Sequence, residues 1–488
     1  MYRWLEILPG LLAWLTIILM FLLSWLAPAA AAIFIILFDV YWLLKTIYLS
    51  FHLRAAFKKM RENLKINWLT RVRGIGEWEN IYHLVILPMY KEPYAVVRES
   101  FLSLSGINYP REKLIVVLAV EESGGEESRL AAEKIQQEFG PHFFKFLVTY
   151  HPAGLSGEIR GKGSNETWAA RRAQEFINQS KISYDRVLVS VFDIDTQILP
   201  EYFGVLTYSF FKCENPQHSS FQPVPFFTNN IYQAPALARV ISFSSTFWHM
   251  MQQVRPEQLT TFSSHSMPFK ALVEIGFWNT NVVSEDSQIF WQFYLYYGGN
   301  WRVVPLFYPV SMDANVAPSF WGTVKNIYKQ QRRWAWGVEN VPYAFFGFYK
   351  NKLIPRREKV FWIFKKIEAF HSWATNALLI FALGWLPIFL GGREFGVSIL
   401  SYNLPYITRD IVSLSMVGIV SSAILGIILL PSRPAWFKTR HYLLYFFQWL
   451  LMPITLIIFG SLPALEAQTR LMLGGRWRLG FWHTPKFR

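Results

Sequence analysis

Long apolar blocks lie at both ends of the chain, and a segment of ordinary polarity separates them. Each block approaches the roughly 20 residues that a helix needs to cross a bilayer. The blocks are about Ile7–Leu26, Ala31–Ser50, Trp373–Leu390 and Ile411–Leu430. They predict two transmembrane helices in residues 1–52 and two more in residues 371–431.

A fifth apolar segment, about Tyr442–Leu462, has a different character. Pro453, Gly460 and Pro463 interrupt it, and a polar run follows at once. Proline inside a helix removes a backbone hydrogen bond and kinks the helix. We therefore expect residues 432–478 to be interfacial or re-entrant, which leaves four segments that span the bilayer.

Between the blocks the pattern changes to short apolar runs that alternate with amphipathic stretches. The runs that predict buried strands are His83–Leu87, Leu114–Val120 and Arg186–Phe192, and the stretches that predict helices include Glu127–Phe139 and Asn165–Gln179. Strands alternating with helices imply a parallel sheet, which binds ligands at the carboxyl ends of its strands. Residues 81–340 are therefore expected to form one α/β domain, after a basic linker (53–80) and before interfacial helices (341–370).

The chain's formal net charge of +15 is concentrated where apolar blocks begin or end. These cations are Arg54, Lys58, Lys59, Arg61, Lys65, Arg71 and Arg73, then Arg356, Arg357, Lys359, Lys365 and Lys366, and finally Arg433, Lys438 and Arg440. An excess of Lys and Arg beside spans marks the cytosolic side of a membrane. The pattern favours a multi-pass protein of a plasma or inner membrane with a cytosolic α/β domain, and it explains the charge without nucleic acid.

Two features bear on processing and compartment. A cleaved signal peptide is an alternative interpretation of the first block, because Ala27–Ala31 is rich in small residues. Arg3 is the one basic residue before the block, however, and a second apolar block follows directly, so two spans fit better. Cys213 is the only cysteine, which excludes an internal disulfide and fits a reducing compartment, where we expect it to be structural.

Two carboxylates follow the third predicted strand, in Phe192-Asp193-Ile194-Asp195-Thr196. Residues at i and i+2 lie on the same side of an extended segment. Their oxygens suit Mg²⁺ or Mn²⁺, and such an ion neutralises the charge of a departing diphosphate. Taken alone, the pair could equally be structural or solvated.

Two further motifs carry candidate chemistry. Glu285 and Asp286 open a predicted helix, where a carboxylate could act as a general base or could simply cap the helix. Gln330-Gln331-Arg332-Arg333-Trp334 contains Q-x-x-R-W, whose Arg donates to phosphate and whose Trp offers a flat apolar platform. A basic and aromatic interfacial anchor would look similar.

In this order and between membrane blocks, the three motifs resemble the processive branch of family 2 glycosyltransferases, which includes cellulose, mannan and hyaluronan synthases. The resemblance covers roughly residues 80–340 closely. It implies an α/β catalytic domain with a GT-A-like, Rossmann-related mixed sheet, inserted between the transmembrane α-helices of a polytopic membrane protein. It also implies inverting transfer of sugar from a UDP- or GDP-sugar to the non-reducing end of a growing polysaccharide, which then crosses the membrane.

The resemblance assigns roles to the motif residues. Asp286, with Glu285 beside it, would be the base, and Asp195 with Asp193 would hold Mg²⁺ or Mn²⁺. Gln330, Arg333 and Trp334 would contact the diphosphate and the acceptor's terminal sugar. The acceptor segment would contain His265 and Ser266.

Nucleotide contacts are implied in the same way. Tyr90 and Glu92 follow the first strand in the family's nucleobase motif, and Lys162 lies in a Gly-rich segment that approaches the nucleotide. Glu121-Glu122-Ser123 stands where the family usually has Asp-Asp-Gly, which lengthens both acids and leaves the choice of nucleotide open. A plain glycine-rich loop before a helix remains an alternative for the Lys162 segment.

The final residues, 479–488, resemble the gating loop of cellulose synthases, in which a Thr and a Lys contact the diphosphate. Here these would be Thr484 and Lys486, with Phe481 beside them. A basic tail resting on anionic lipid is the alternative. Two rival functions also remain: single-sugar transfer to a lipid, as in ceramide glucosyltransferases, and a non-enzymatic transporter, which the scarcity of charge in the apolar blocks disfavours.

Overall fold

The structure, a computed structural model, describes residues 1–487; Arg488, the last residue of the predicted gating segment, lies outside this range. Two long helices open the chain: α1 (Tyr2–Leu26) and α2 (Pro28–Asn63). Pro28 stands at the first turn of α2, where its missing N–H costs no helical hydrogen bond. α2 continues without a break well past the apolar block, into the segment predicted to be a linker.

Seventeen further α-helices follow within the described residues. They are α3 (Trp68–Arg73), α4 (Tyr94–Ser105), α5 (Glu126–Phe139), α6 (Lys162–Gln179), α7 (Tyr202–Lys212), α8 (Ala236–Gln253), α9 (Phe269–Glu274), α10 (Glu285–Tyr296), α11 (Phe320–Ala335), α12 (Asn340–Lys350), α13 (Arg356–Phe381), α14 (Leu386–Leu390), α15 (Gly392–Gly396), α16 (Ile399–Ile428), α17 (Thr439–Phe447), α18 (Met452–Thr455) and α19 (Leu462–Leu473). The helices predicted at Glu127–Phe139 and Asn165–Gln179 are confirmed as α5 and α6.

One eight-stranded sheet forms the centre of the α/β domain. Its strands are β1 (Tyr82–Met89), β2 (Leu114–Glu121), β3 (Lys145–His151), β4 (Val187–Val191), β5 (Gln197–Ile198), β6 (Ser219–Phe227), β7 (Ser266–Pro268) and β8 (Arg302–Met312), in the spatial order β3-β2-β1-β4-β7-β6-β8-β5. β3, β2, β1 and β4 are parallel, and β7 then joins β4 antiparallel. The simple alternation of strands and helices had predicted only the parallel half, because β5 to β8 are joined through longer, irregular connections.

The sheet divides the core into two layers. Leu84 and Ile86 point to the side that holds α6 and α10, whereas Val85 and Leu87 point to the side that holds α4, α5 and α7. Successive side chains of a strand face opposite ways, so a strand buried on both faces must be apolar throughout. Continuous apolar runs of this kind are what marked the strands in the sequence.

Four helical stretches are long and apolar enough to cross a membrane: Tyr2–Leu26, Pro28–Asn63, Ile399–Ile428 and Thr439–Leu473. Arg356–Phe381 and Leu383–Leu390 are apolar enough to form a fifth span if they are counted together, although the two helices meet at a bend of 49°. The third apolar block, predicted to be one span, contains this bend.

The fifth apolar segment, expected to be interfacial or re-entrant, is a continuous run of helical turns, Thr439–Leu473, in which a 3-10 turn at Gln448–Leu451 and a π-helical turn interrupt the α-helix. Pro453 and Pro463 each fall within the first two positions of a new helical segment, where proline is tolerated, and a π-helical turn at Leu456–Ser461 joins α18 to α19. Both ends of the stretch contact elements near the α/β domain: Arg239 of α8 donates to Gln448 at 2.7 Å, and Arg3 of α1 donates to the Leu471 carbonyl at 2.9 Å.

Candidate active site

Acidic residues meet at the carboxyl edge of the parallel half of the sheet. Tyr90 and Glu92 follow β1, Glu121 ends β2, and Asp193 follows β4, in a sheet where β2, β1 and β4 are neighbours. Parallel strands present their carboxyl ends on one edge, which brings together residues far apart in sequence. The sequence motifs after these three strands therefore form one site.

Asp193 is held by two donors. Its Oδ1 lies 2.8 Å from the Lys162 ammonium, and its Oδ2 accepts a hydrogen bond from the Ser263 hydroxyl at 2.7 Å. Burial alone would raise the pKa of Asp193, but Lys162, Lys486 and Ser263 outweigh it and hold the pKa well below its usual range. This carboxylate stays ionised at any physiological pH.

Asp195 is fully buried and is contacted from two distant parts of the chain. Its Oδ2 accepts from the Lys486 ammonium at 2.6 Å and from the backbone N–H of Asp313, at the end of β8, at 3.0 Å. A buried carboxylate needs such partners, because an unpaired charge away from water is costly. The C-terminal segment is thereby tied into the centre of the α/β domain.

Lys162 opens α6 and is surrounded by acids. Besides Asp193, its ammonium lies 3.4 Å from Glu166 one turn later on the same helix. Burial lowers the pKa of Lys162, but the negative charges of Asp193, Glu166, Glu285 and Asp286 outweigh this and raise it well above its usual value. Burial raises the pKa of Glu166 to about 8, although the charge of Lys162 opposes this shift.

Glu285 and Asp286 form the first turn of α10, and the loop before them is fixed by Glu339. The Glu339 carboxylate accepts from the backbone N–H groups of Val283 and Ser284, at 3.1 and 2.9 Å, and from the Ser284 hydroxyl at 2.7 Å. Burial is the main cause that raises the pKa of both Glu285 and Asp286. A raised carboxylate pKa is closer to working pH and so suits a general base.

Helix α6 approaches α10 very closely at Gly163. A Cβ added there would lie 2.9 Å from the Cβ of Glu285 and 3.1 Å from the carbonyl oxygen of Asn279. Only glycine fits without displacing one of the helices. This contact holds the Lys162 ammonium beside the candidate base, so the glycine-rich character of the segment has a packing cause.

Asp193 and Asp195 offer hard oxygen ligands, which Mg²⁺ and Mn²⁺ prefer. Among residues 1–487, no three His, Cys, Asp or Glu side chains lie together as a complete metal site. Mg²⁺ commonly takes one or two protein carboxylates and completes its shell with substrate phosphates and water. The donor set therefore fits a divalent ion that binds together with a diphosphate.

Tyr90 and Glu92 adjoin the C-terminal segment. The Glu92 carboxylate accepts from the backbone N–H of Tyr90 at 2.7 Å, and burial raises the pKa of Glu92 to about 7. One face of the Tyr90 ring is covered by the Arg160 guanidinium at 4.3 Å, and the ring meets the His483 ring at 5.3 Å. The tail thus closes over the residues predicted to contact a nucleobase.

Glu121 contacts a histidine that the sequence analysis did not single out. His151 Nδ1 lies 3.1 Å from Glu121 Oε1, and His151 Nε2 lies 2.9 Å from Glu158 Oε2. The ring is 4% exposed. Burial lowers its pKa, but hydrogen bonds and charge from Glu121 and Glu158 outweigh this and raise it overall.

The Q-x-x-R-W motif lies on α11, and its three named residues contact three different parts of the chain. Gln330 accepts from Asn315 at 3.2 Å, Arg333 lies 5.6 Å from the Phe481 ring of the tail, and Trp334 packs against Phe227. All three motif residues border the cavity described below. The neighbouring Arg332 points away and pairs with Glu466 of α19 at 2.6 Å, so it is structural.

His265 and Ser266 do not border that cavity. Both are fully buried; His265 Nδ1 lies 2.7 Å from the Phe262 carbonyl, and the Ser266 hydroxyl lies 2.7 Å from that of Ser190 and 2.9 Å from that of Tyr202. These contacts hold β7 in the sheet behind the site. The preceding residues of the same segment, Phe262 and Ser263, do border the cavity.

A single cavity of about 1840 Å³ connects these groups with the membrane helices. Its α/β end is bordered by Tyr90, Glu92, Glu121, Lys162, Asp193, Asp195, Glu285, Asp286, Gln330, Arg333, Trp334, Thr484 and Lys486. Its other end is bordered by residues of α2, α13 and α16, among them Trp42, Trp373 and Ser415. Every predicted site residue except His265 and Ser266 therefore shares one space.

Sequence reasoning missed Glu166, Glu339, Asp313 and His151. Glu166 lies four residues after Lys162, but the predicted helix began only at Asn165; because α6 begins at Lys162, the two residues share one helix face. The other three residues reach the site through contacts between distant segments, and a single sequence does not predict such contacts.

A model of the family described as Glycosyl transferase family group 2 matches residues 188–462, more than half of the chain. A comparison with curated proteins gave no match. Two solved structures are similar at low identity. The mannosyltransferase PcManGT from Pyrobaculum calidifontis in complex with GDP-Man and Mn²⁺ is 15% identical with a TM-score of 0.41, and the match covers 78% of this chain and 99% of that chain. S. aureus TarS 1–349 in complex with UDP-GlcNAc is 13% identical with a TM-score of 0.37, and the match covers 72% of this chain and 93% of that chain. The match to the family model alone shows that the chain belongs to glycosyl transferase family group 2.

Proposed function

We propose that the protein is a membrane-embedded, inverting glycosyltransferase that transfers sugar from a UDP- or GDP-sugar to the end of a growing polysaccharide and passes the chain across the bilayer. The observation that carries this proposal is the continuity of one cavity from Asp286 to α13 and α16. A polymer that leaves the site has a path between helices apolar enough to span a membrane.

In the proposed reaction Asp286 removes the proton from the acceptor hydroxyl as that oxygen attacks the anomeric carbon, and the nucleoside diphosphate leaves from the opposite face. The raised pKa of Asp286 makes it a competent proton acceptor. Lys162 and Lys486, already beside Asp193 and Asp195, place positive charge where the diphosphate would depart. Arg333, which borders the same cavity, adds a guanidinium that can donate two parallel hydrogen bonds to phosphate.

Asp193 and Asp195 are the residues that would hold Mg²⁺ or Mn²⁺. A bound divalent ion supplies charge neutralisation at the diphosphate. In the structure the Lys486 ammonium already contacts Asp195, so donor binding requires the tail to shift or to share that carboxylate.

For topology we propose four spans, formed by α1, α2, α13 with α14, and α16, and a cytosolic α/β domain. The stretch from α17 to α19 is proposed to lie along the cytosolic interface, because both of its ends contact elements of that side. This arrangement returns the tail to the α/β domain, where Lys486 lies.

Single-sugar transfer to a lipid is the second candidate. The membrane end of the cavity is lined by α2, α13 and α16, so a lipid acceptor could also enter there. The two functions differ in product size.

The test is incubation of the purified full chain, with Mg²⁺ and with Mn²⁺, with a panel of radiolabelled UDP- and GDP-sugars. We expect a labelled polysaccharide from one donor, whereas a monoglycosylated lipid as sole product would favour the second candidate. No transfer from any donor would contradict both.

A further inference from the structure

His151 lies outside the transfer chemistry, yet it joins two parts of the donor side of the site. It ends β3 directly beside the last residue of β2, so that His151 and Glu121 are register partners in the parallel pair. Its other ring nitrogen contacts Glu158 in the segment 152–161. One imidazole therefore bridges a strand end and the loop that leads into α6.

That loop carries the groups that border the predicted nucleobase pocket. Two residues after Glu158, the Arg160 guanidinium covers the Tyr90 ring, and Lys162 then pairs with Asp193. The backbone N–H of Ile159 also donates to the Thr280 carbonyl at 2.8 Å. A loop fixed at Glu158 by His151 is thus fixed close to Tyr90.

We propose, resting on the proposed use of a nucleotide sugar, that His151 is a positioning residue for the donor's nucleobase: as the imidazolium it orients the Glu121 carboxylate and holds the segment 152–161 against the pocket. Glu121 borders the cavity, and the oxygen lone pairs not used by His151 are available to accept N–H groups from a base. Uracil offers one such N–H and guanine offers two adjacent ones.

The geometry requires the protonated ring. A neutral imidazole has one N–H and one lone pair, so between two carboxylates it would turn that lone pair toward an anion, whereas the imidazolium donates to both. The charged groups that act on the ring are Glu121 from β2 and Glu158 from the loop, and α6 packs Trp168 edge-on at 6.0 Å. The raised pKa of His151 agrees with this state.

The need for such a residue follows from the length of Glu121. A glutamate has one more rotatable bond than an aspartate, so an unrestrained Glu121 would lose more side-chain freedom when it bound a base. Both of its oxygens lie within 3.2 Å of His151 Nδ1, which fixes the carboxylate before the ligand arrives. Preorganisation of this kind increases affinity without a new contact.

The test measures binding of UDP and of GDP to the detergent-solubilised full chain by calorimetry, together with KM and kcat for the donor that supports transfer. We expect His151→Gln to weaken binding of the preferred nucleotide about tenfold, the effect of losing one charge-assisted hydrogen bond. KM should rise by a similar factor, with kcat changed less than about twofold. His142→Gln, an exposed histidine outside the site, is the matched control; equal affinity in the two variants would overturn the proposal.

Two further arms separate positioning from general damage. Wild-type affinity should fall as pH rises through the raised pKa of His151, and Glu158→Gln should move that fall to lower pH while the chain remains folded. N3-methyl-UDP or N1-methyl-IDP, which offers no base N–H to Glu121, should show a clearly smaller difference in affinity between wild type and His151→Gln than the unmodified nucleotide. A penalty of unchanged size with the methylated nucleotide would overturn the proposal, whereas a wild-type chain that binds neither UDP nor GDP would contradict the proposed function instead.

Discussion

The Lys486 ammonium lies 2.6 Å from the Asp195 carboxylate, across 291 positions of sequence. Two independent sequence motifs, an acidic pair after a strand and a basic tail, therefore meet at one atom pair. We expect Lys486→Ala to raise the KM for the donor by roughly tenfold to a hundredfold, since a charge-assisted hydrogen bond contributes about 1.5–3 kcal/mol. Lys486→Arg should recover part of the loss, and steady-state kinetics on both variants decides; unchanged KM would remove the tail from donor binding.

Asp286 is expected to be indispensable. Asp286→Asn preserves shape and removes the proton acceptor, so transfer should fall by at least about a hundredfold while the thermal unfolding midpoint stays close to wild type. Glu274→Gln removes an exposed carboxylate at the end of α9 and provides the control for charge alone. Near-normal turnover in Asp286→Asn would assign the base elsewhere, with Glu285 the first candidate.

Glu92 makes stability depend on pH. Its pKa in the fold is about 7 because burial disfavours the charge, against about 4.3 in an unfolded chain. Between these values the folded state keeps a proton that the unfolded state has lost, so stability should decline as pH rises from 5 to 7, by on the order of 3 kcal/mol. Glu92→Gln should flatten that decline in thermal unfolding measured across this range; an unchanged slope would show that other groups cause it.

Gly163 should tolerate no side chain. The added Cβ of Gly163→Ala would meet Glu285 and the Asn279 carbonyl, so we expect a loss of about 1–3 kcal/mol of stability and a marked fall in transfer. Gly76→Ala, whose Cβ would meet nothing within 4 Å, should leave both unchanged. Equal behaviour of the two variants in unfolding and transfer assays would mean that α6 and α10 separate without consequence.

The orientation of the chain can be tested from its two sides. A protease-sensitive tag fused after Arg488 should be cleaved only after the cells are permeabilised, and a cysteine introduced near Lys162 should resist an impermeant reagent applied outside. Cleavage of the tag in intact cells would refute both the proposed topology and the role of the tail.

Sequence alone predicted the features that depend on local pattern. The apolar runs located β1, β2 and β4, and the acids after them reached one edge of the sheet as expected. The mixed half, in which β7 is antiparallel to its neighbours and β6 pairs parallel with β8, was implied only by the family resemblance, because β7 is three residues long and carries no periodicity of its own. The bend of 49° after Phe381 and the continuous run of helical turns through Pro453 were not predicted either.

The residues of the site show the same difference between local pattern, which was predictable, and contacts between distant segments, which were not. Motif residues such as Asp193 and Arg333 were identifiable by type and order, whereas Glu339 and His151 act through contacts made only in the folded chain. His265 was predicted to lie in the acceptor segment, but its side chain is fully buried and its Nδ1 lies 2.7 Å from the Phe262 carbonyl. Residue type and order identified the candidate groups, and only three-dimensional pairing revealed which residues hold them in place.

The unbroken length of α2 has a mechanical consequence. Its 36 residues extend about 54 Å, of which a bilayer's hydrocarbon core takes roughly 30 Å. At the far end Asn63 donates to the Leu306 carbonyl of β8 at 3.1 Å, so the helix is fastened to the sheet itself. With α2 across a bilayer as proposed, this rigid helix sets the distance between the carboxyl edge of the sheet and the lipid. A tilt of α2 would therefore move the proposed donor site together with the proposed exit path.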